Sequence, residues 1–228
     1  ENINNLGGRI QGNLLAASAR NDLNVTGGSL EGGQFLAASA GRDLNVTSTT
    51  SSQQNAQGSN TRLDRIAGLY VSGSNGILNA NAGRDLLLKA AQVSSAGNAY
   101  LNAGNNLSIG TVTTAFNNRI SFDSDNTRSE SRSTEEGSEV KAVGNVLLSA
   151  NNDVGIRGSV VNSQLGHLGV DAGNHVMIED GRNTATHEVT SRHTSEGVFS
   201  DRTLTQRVQS GSDLSSGSSL GGNTIAIN

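Results

Sequence analysis

Hydrophobic and polar residues alternate along most of this chain in short blocks. In residues 76–90, Leu78 and Ala80 precede an Ala-Gly-Arg-Asp step, and Leu86 and Leu88 follow it. Alternation with a period of two residues predicts β-strands that have one buried and one solvated face. Gly together with Asp or Asn at the step favours a sharp bend between two such strands.

The same polar position returns six times. Each time a small-residue step leads into a polar residue that is followed by alternating hydrophobic positions, and the six polar residues are Asp22, Asp43, Asp85, Asn106, Asp153 and His175. The steps between them are 21, 42, 21, 47 and 22 residues. A period near 21, once skipped and once stretched, indicates a repeat architecture. We predict that these residues form a structural ladder at the corners, with each side-chain amide meeting the one above it.

A repeat of this length that holds two or three short strands matches one turn of a parallel β-helix. We therefore predict an all-β fold, a parallel β-helix in which residues 1–228 form a single domain. The handedness rule for parallel connections makes this helix right-handed. We expect about nine to eleven turns, which at a spacing of about 4.8 Å would make a rod of about 45–50 Å. The leucine-rich repeat pattern is missing, and the period of two excludes an α-solenoid.

Three insertions interrupt the repeat, at about residues 48–62, 111–141 and 183–219. Each alternates polar and small residues and offers few candidates for a core. Hairpins that project from the rod with both faces in water are expected to have this composition, and so are disordered loops. Alternation of Thr, Val, Arg and Phe in residues 198–205 favours hairpins, whose strands could also line the flank of the rod.

Composition agrees with a thin core. Only 3% of the residues are aromatic, Trp, Pro and Cys are absent, and Gly numbers 29. Stacked repeats close their core with small and β-branched residues and need few large side chains. The net charge of −4 gives no electrostatic reason to expect a nucleic-acid partner. No apolar run approaches the ~18 residues of a transmembrane helix.

The corner positions do not predict catalysis. Polysaccharide-cleaving β-helix enzymes need two or three carboxylates on adjacent turns. Here Asp alternates with Asn and His, so the position selects a residue that forms a corner. We predict that the chain is not an enzyme and has no cofactor, no metal ion and no small-molecule substrate; a carbohydrate-active β-helix enzyme is the least favoured alternative.

Three further sets of polar residues could take part in binding: three arginines, an acidic segment and four histidines. Arg20, Arg42 and Arg84 lie near corner acids, and we expect them to pair with those acids, each exposed pair contributing under ~1 kcal/mol. The alternative is a basic stripe that binds lipopolysaccharide phosphates. Residues 123–127 begin like a calcium loop, but Arg128 stands where Gly is expected and Thr134 where Glu is expected. The four histidines share no metal-binding spacing.

The Ala-Gly-Arg-Asp-Leu repeats resemble the haemagglutinin repeats of bacterial exoproteins exported by two-partner secretion. Further segments resemble the second filamentous-haemagglutinin repeat region of CdiA-type contact-dependent growth inhibition proteins. They are the Ser/Thr/Gln tract with residues 64–71 (DRIAGLYV), residues 112–114 (VTT) before a charged insert, and residues 197–200 (GVFS) followed by 218–223 (SSLGGN). The resemblance covers essentially the whole chain.

This resemblance implies a fragment of a longer exoprotein, secreted through an Omp85-type outer-membrane transporter and held at the bacterial cell surface. It implies that the segment presents a toxin and helps deliver it through the outer membrane of the target cell, in contact with that membrane or its receptor. A passive stalk of a filamentous haemagglutinin-like adhesin is the alternative. The family's secretion domain, receptor-binding region and Val-Glu-Asn-Asn motif are not found here, so their activities are not assigned to this chain.

Overall fold

The computed structural model describes residues 1–228, which form 25 β-strands and no helix. The strands are β1 (Ile3–Leu6), β2 (Arg9–Ala19), β3 (Leu23–Thr26), β4 (Ser29–Ala40), β5 (Leu44–Thr47), β6 (Thr49–Asn55), β7 (Gly58–Arg65), β8 (Gly68–Val71), β9 (Ile77–Ala82), β10 (Leu86–Lys89), β11 (Gln92–Ser95), β12 (Asn98–Ala103), β13 (Leu107–Gly110), β14 (Val112–Ser121), β15 (Thr127–Glu136), β16 (Glu139–Ala142), β17 (Val146–Ala150), β18 (Val154–Arg157), β19 (Val160–Ser163), β20 (His167–Ala172), β21 (Val176–Glu179), β22 (Gly181–Glu196), β23 (Asp201–Ser216), β24 (Ser219–Gly221) and β25 (Thr224–Ile227).

Two parallel sheets form the walls of a solenoid. The first sheet has seven strands in the order β1-β3-β5-β10-β13-β18-β21. The second has twelve, in the order β24-β19-β16-β11-β8-β4-β9-β12-β17-β20-β25, with β2 paired to β4. The long strand β4 pairs with β8 through Ser29–Gly32 and with β9 through Phe35–Ala40. Because β8 and β9 are successive strands of the same turn, the second sheet comprises two faces of the solenoid that are joined at β4. The predicted parallel β-helix is confirmed.

The rod is shorter than predicted, with seven strands in its first sheet instead of about nine to eleven turns. Leu44 pairs directly with Leu86, so the 42-residue step between Asp43 and Asp85 is one turn and no repeat is skipped. The 47-residue step after Asn106 is also a single turn, since Leu107 pairs with Val154. Both long steps contain a hairpin. The seven strands span about 30 Å at a spacing of about 4.8 Å.

The core is a column of aliphatic side chains between the two walls. Its 34 buried residues are all Ala, Val, Leu or Ile. In the first sheet the parallel register stacks one fully buried position through the turns, and the column reads Leu23, Leu44, Leu86, Leu107 and Val154. Like residues meet like residues one turn away, so aliphatic side chains alone fill this core without aromatic rings.

A third, antiparallel sheet projects from the rod. It has six strands in the order β23-β22-β15-β14-β7-β6, built from three hairpins that occupy residues 49–65, 112–136 and 181–216. Neighbouring hairpins pair with each other through β7 and β14 and through β15 and β22, and none of their strands joins the walls of the rod. The first hairpin continues to Arg65, where the sequence analysis placed the end of the insertion at about 62.

The hairpins leave the rod at every second turn over its later part. β5, β13 and β21 are each followed by a hairpin, whereas β10 and β18 lead directly into the next wall strands, β11 and β19. No hairpin leaves after β1 or β3. All three hairpins therefore emerge from the same side of the rod.

Candidate functional site: the corner ladder and the projecting sheet

The six predicted corner residues each stand immediately before a strand of the first sheet. Because those strands are paired in register, the six residues lie one above another in successive turns. A seventh member, Asn2, precedes β1 in the same position, and its side-chain oxygen accepts the backbone N–H of Asp22 at 3.3 Å. The sequence analysis missed Asn2 because no Ala-Gly step precedes it; the polar-then-Ile pattern at Asn2 and Ile3 was the available signal.

The ladder is held by hydrogen bonds from backbone to side chain. Asp85 Oδ1 accepts the backbone N–H of Asn106 at 3.1 Å, Asn106 Oδ1 accepts that of Asp153 at 3.3 Å, and Asp153 Oδ1 accepts that of His175 at 3.1 Å. The direct amide-to-amide contacts expected between successive corners are not formed. The oxygens of Asn2, Asp43, Asp85, Asn106 and Asp153 instead accept the backbone N–H of the next corner, a group that needs a partner when it is removed from water.

In the later turns, the residue before the corner adds a second donor to the same oxygen. The Nδ2 group of Asn105 donates to Asp85 Oδ1 at 2.8 Å, and that of Asn152 donates to Asn106 Oδ1 at 2.9 Å. Asn174 does the same to Asp153 at 3.2 Å. These side chains form a second column beside the corner ladder.

Arginine replaces asparagine in this second column where two aspartates occupy successive turns. Arg42 hydrogen-bonds to Asp22 in the turn before it and lies 3.6 Å from Asp43 in its own turn. Arg84 likewise pairs with Asp43 and lies 3.2 Å from Asp85. Two stacked carboxylates repel each other, and a guanidinium between them removes that repulsion.

The prediction of an ion pair for Arg20 is wrong. Arg20 lies two residues before its corner, in the position that Gly41 and Gly83 hold in the following turns, and Asn21 takes the place next to the corner. Arg20 has no salt bridge in the structure, whereas Arg42 and Arg84 each contact two carboxylates. The geometry therefore provides no free basic stripe of three arginines for phosphate groups.

The Asp22–Arg42 pair is expected to make the fold sensitive to acid. The hydrogen bond from Arg42 lowers the pKa of Asp22 below its usual 3.8. The pair's contribution is therefore present above pH 3.8 and is lost as the pH falls through the lowered pKa. We expect the thermal midpoint of Asp22→Asn to fall less steeply below that pH than the midpoint of the unchanged protein. Asp171→Asn, at an exposed carboxylate without an ion pair, is the control, and equal profiles for all three proteins would contradict this expectation.

The remaining candidate residues have structural roles or stand apart. Asp123 Oδ1 accepts the backbone N–H groups of Asp125 at 2.8 Å and Asn126 at 2.7 Å, so it closes the turn of the second hairpin. Bonds from the Asn126 side chain and from these backbone groups lower the pKa of Asp123. The chain brings no three His, Cys, Asp or Glu side chains together as a metal-binding group. It has no helix suited to span a membrane.

The projecting sheet has two different faces. Residues directly opposite each other across its strands share a face, and one such row is Gln53, Asn60, Phe116, Arg132, Ala185 and Ser212. We call the side that carries this row the front face. It also carries Ile120, Val189 and Val208, which align with Arg128. The back face carries mainly Ser and Thr, as in the row Ser52, Thr61, Ala115, Ser133, Thr184 and Asp213.

The tip of the third hairpin carries the two most exposed large apolar side chains, and the tip of the second carries another. Val198 and Phe199, in the turn of the third hairpin, are 92% and 100% exposed. Phe122, in the turn of the second hairpin, is 73% exposed. These positions were not singled out as candidate sites from the sequence, because an isolated Phe in a polar segment gives no indication of its distance from the core.

The comparisons with known proteins agree with the fold. The family model described as Hemagglutinin repeat matches residues 2–77 and 120–227, which include turns of the rod and parts of all three hairpins. Neither the search of curated proteins nor the search of solved structures found a significant match. The hemagglutinin repeat is a structural repeat, and its model covers more than half of this chain. The resemblance to haemagglutinin repeats is thus confirmed, and the chain belongs to the hemagglutinin repeat family.

Proposed function

We propose that this chain is a non-catalytic rod segment of a secreted contact-dependent growth inhibition effector. In this role the rod presents the toxin, and the projecting sheet contacts the outer membrane of the target cell, or a receptor in it, while the toxin is delivered. The observation that carries the proposal is the projecting sheet, because a rod that serves only as a spacer does not need one.

The rod supports the spacer part of this role. Proteins with hemagglutinin repeats are typically secreted or surface-exposed. Each turn of this rod is tied to the next by two parallel sheets and by the corner ladder. Such a rod holds its two ends at a fixed separation. Export through an Omp85-type transporter belongs to the proposal, and a chain without cysteine has no disulfide to obstruct threading in the unfolded state.

The projecting sheet supports the contact part. It is solvated on both faces, and its apolar side chains lie on the front face and at the tips of the second and third hairpins. Clustered exposed apolar groups mark surfaces that meet another molecule or a membrane, although the rod also exposes such groups, for example Leu6 and Leu165. Val198 and Phe199 occupy the tip of the longest hairpin, where they would make the first contact.

The sheet is unsuited to enter a bilayer in this form. Its outer strands, β6 and β23, each have one edge without a strand partner, and unpaired backbone groups are excluded from hydrocarbon. The contact we propose is therefore at the surface of the outer membrane or on a receptor. Any passage of this segment through the membrane requires a rearrangement of the sheet.

The experiment is protease protection in the full-length protein on producer cells. We expect an epitope inserted between Ser124 and Asp125 to be cleaved on producer cells alone and to become protected when target bacteria are added. An epitope between Ser74 and Asn75, in an exposed turn of the rod without a hairpin, is the matched control. Replacement of Val198 and Phe199 by Ser is expected to reduce the protection.

Accessibility of both epitopes with and without target cells would contradict a contact during delivery. The passive stalk of a filamentous haemagglutinin-like adhesin would then be the better description. Protection of both epitopes to the same extent would indicate general shielding by the cell envelope, and it would contradict a specific role of the hairpins.

A further inference from the structure

A groove of about 860 Å³ lies where the first hairpin ends beside the longer second hairpin. β7 pairs with β14 only through Gly58–Thr61 and Ala115–Asn118, so β14 continues beyond the turn of the first hairpin. The resulting step in the sheet forms the groove.

The groove is lined by side-chain amides that have no partner in the chain. Gln53, Asn60 and Asn118 line it from front-face positions on three different strands. Asn55 and Asn117, which also line it, form hydrogen bonds within the chain, whereas the three amides form none. Each free amide offers both a donor and an acceptor.

Apolar surface lies beside these amides. Phe116 and Ile120 line the groove from the same face of β14, and each is 37% exposed. Phe116 stands directly opposite Asn60 across the strand pair, so one wall combines a flat ring with a free amide. An aromatic ring packs against apolar C–H surface, and the amide beside it provides orientation.

No charged residue and no histidine lines the groove. Its eleven residues are Gln53, Gln54, Asn55, Gln57, Gly58, Ser59, Asn60, Phe116, Asn117, Asn118 and Ile120. Arg132 and Arg128 stand opposite Phe116 and Ile120 on the same front face, but neither lines the groove. The lining itself, with its free amides and its aromatic ring, favours a ligand that carries many hydroxyl groups and an apolar C–H face.

We infer that this groove binds a neutral oligosaccharide. Vicinal hydroxyl groups of a sugar match the paired donor and acceptor of an amide, and the C–H face of the ring packs on Phe116. Beyond Asn118 the edge of β14 next to the first hairpin has no strand partner, and an extended peptide would pair there through its main chain. The free side-chain amides beside Phe116 on the front face favour a sugar instead. The inference does not depend on the proposed role in toxin delivery.

Nuclear magnetic resonance of the 15N-labelled chain tests the inference. We expect maltohexaose or cellohexaose to shift the side-chain NH2 signals of Gln53, Asn60 and Asn118, with a dissociation constant of about 1 mM. Phe116→Ala should weaken this binding about tenfold, an effect of the size found for aromatic packing contacts. Phe116→Tyr, which keeps the ring, should retain the binding.

Phe122→Ala is the matched control, because it removes an exposed Phe of the same hairpin that does not line the groove. Absence of shifts with both hexasaccharides at about tenfold above the expected dissociation constant would overturn the inference. So would shifts that Phe116→Ala leaves unchanged, or a response of the same amides to a neutral Asn- and Gln-rich peptide alone. Thermal unfolding of each variant verifies that it is folded.

Discussion

Leu148→Ala is expected to lower the free energy of unfolding by about 2–5 kcal/mol, the range for removing a fully buried leucine side chain. Leu148 is completely buried on β17 and stacks between Leu101 and Val170 of the neighbouring turns. The backbone hydrogen bonds of the parallel sheet fix the spacing of those turns. The core therefore has little freedom to collapse into the cavity, which places the loss in the upper part of the range.

The adjacent residue provides the matched control. Leu147 precedes Leu148 on the same strand, faces outward and is 38% exposed. We expect Leu147→Ala to cost about 0.5–1 kcal/mol, since its side chain is partly exposed and its removal leaves no enclosed cavity. Urea unfolding of the two variants at neutral pH measures the difference. Equal losses would contradict the alternation of inward and outward positions on which the fold assignment is based.

Asn106→Ala is expected to lower the free energy of unfolding by about 1–3 kcal/mol, the cost of leaving a partly buried backbone donor without its partner. The Asn106 side-chain oxygen accepts both the Nδ2 group of Asn152 at 2.9 Å and the backbone N–H of Asp153 at 3.3 Å. Its removal leaves a backbone donor between two turns unsatisfied. The same unfolding measurement applies.

Asn102→Ala separates this effect from the loss of an ordinary side-chain hydrogen bond. Asn102 donates to Asn81 Oδ1 at 2.9 Å, and no backbone group depends on its side chain. We expect this variant to lose about 0.5–1.5 kcal/mol, the usual net value for one such bond. If the loss for Asn102→Ala equalled or exceeded that for Asn106→Ala, the corner ladder would not have the structural role described here.

The stacking of turns was accessible from the sequence, whereas the number of turns was not. The corner residues recur before hydrophobic alternation, and the register of the first sheet follows from that recurrence. The 42-residue step was interpreted as containing a skipped repeat. The polar and small residues of the first hairpin alternate in the same way as those of a weakly conserved repeat would. A hairpin strand pairs with other hairpins, whereas a strand of a repeat pairs with the neighbouring turns of the rod. Local periodicity in the sequence does not reveal which distant segments pair.

The arginine column and the groove required the three-dimensional register. Arg20, Arg42 and Arg84 are similar in sequence context, but a shift of one residue gives the first a different place in its turn. The groove depends on the difference in length between the first and second hairpins and on which residues of β7 and β14 are paired. Neither property follows from the composition of a single segment.

Because hairpins leave the rod at alternate turns, the rod and the projecting sheet have the same repeat distance along the rod axis. Each hairpin supplies two strands, and two strands occupy the same axial distance as two turns, about 9.6 Å. The sheet is therefore connected to the rod at regular intervals of two turns. A displacement of one turn relative to the next would strain both the rod and the sheet. Addition of two turns and one hairpin to such a chain preserves the match between strand spacing and turn spacing. Addition of a single turn would not preserve it.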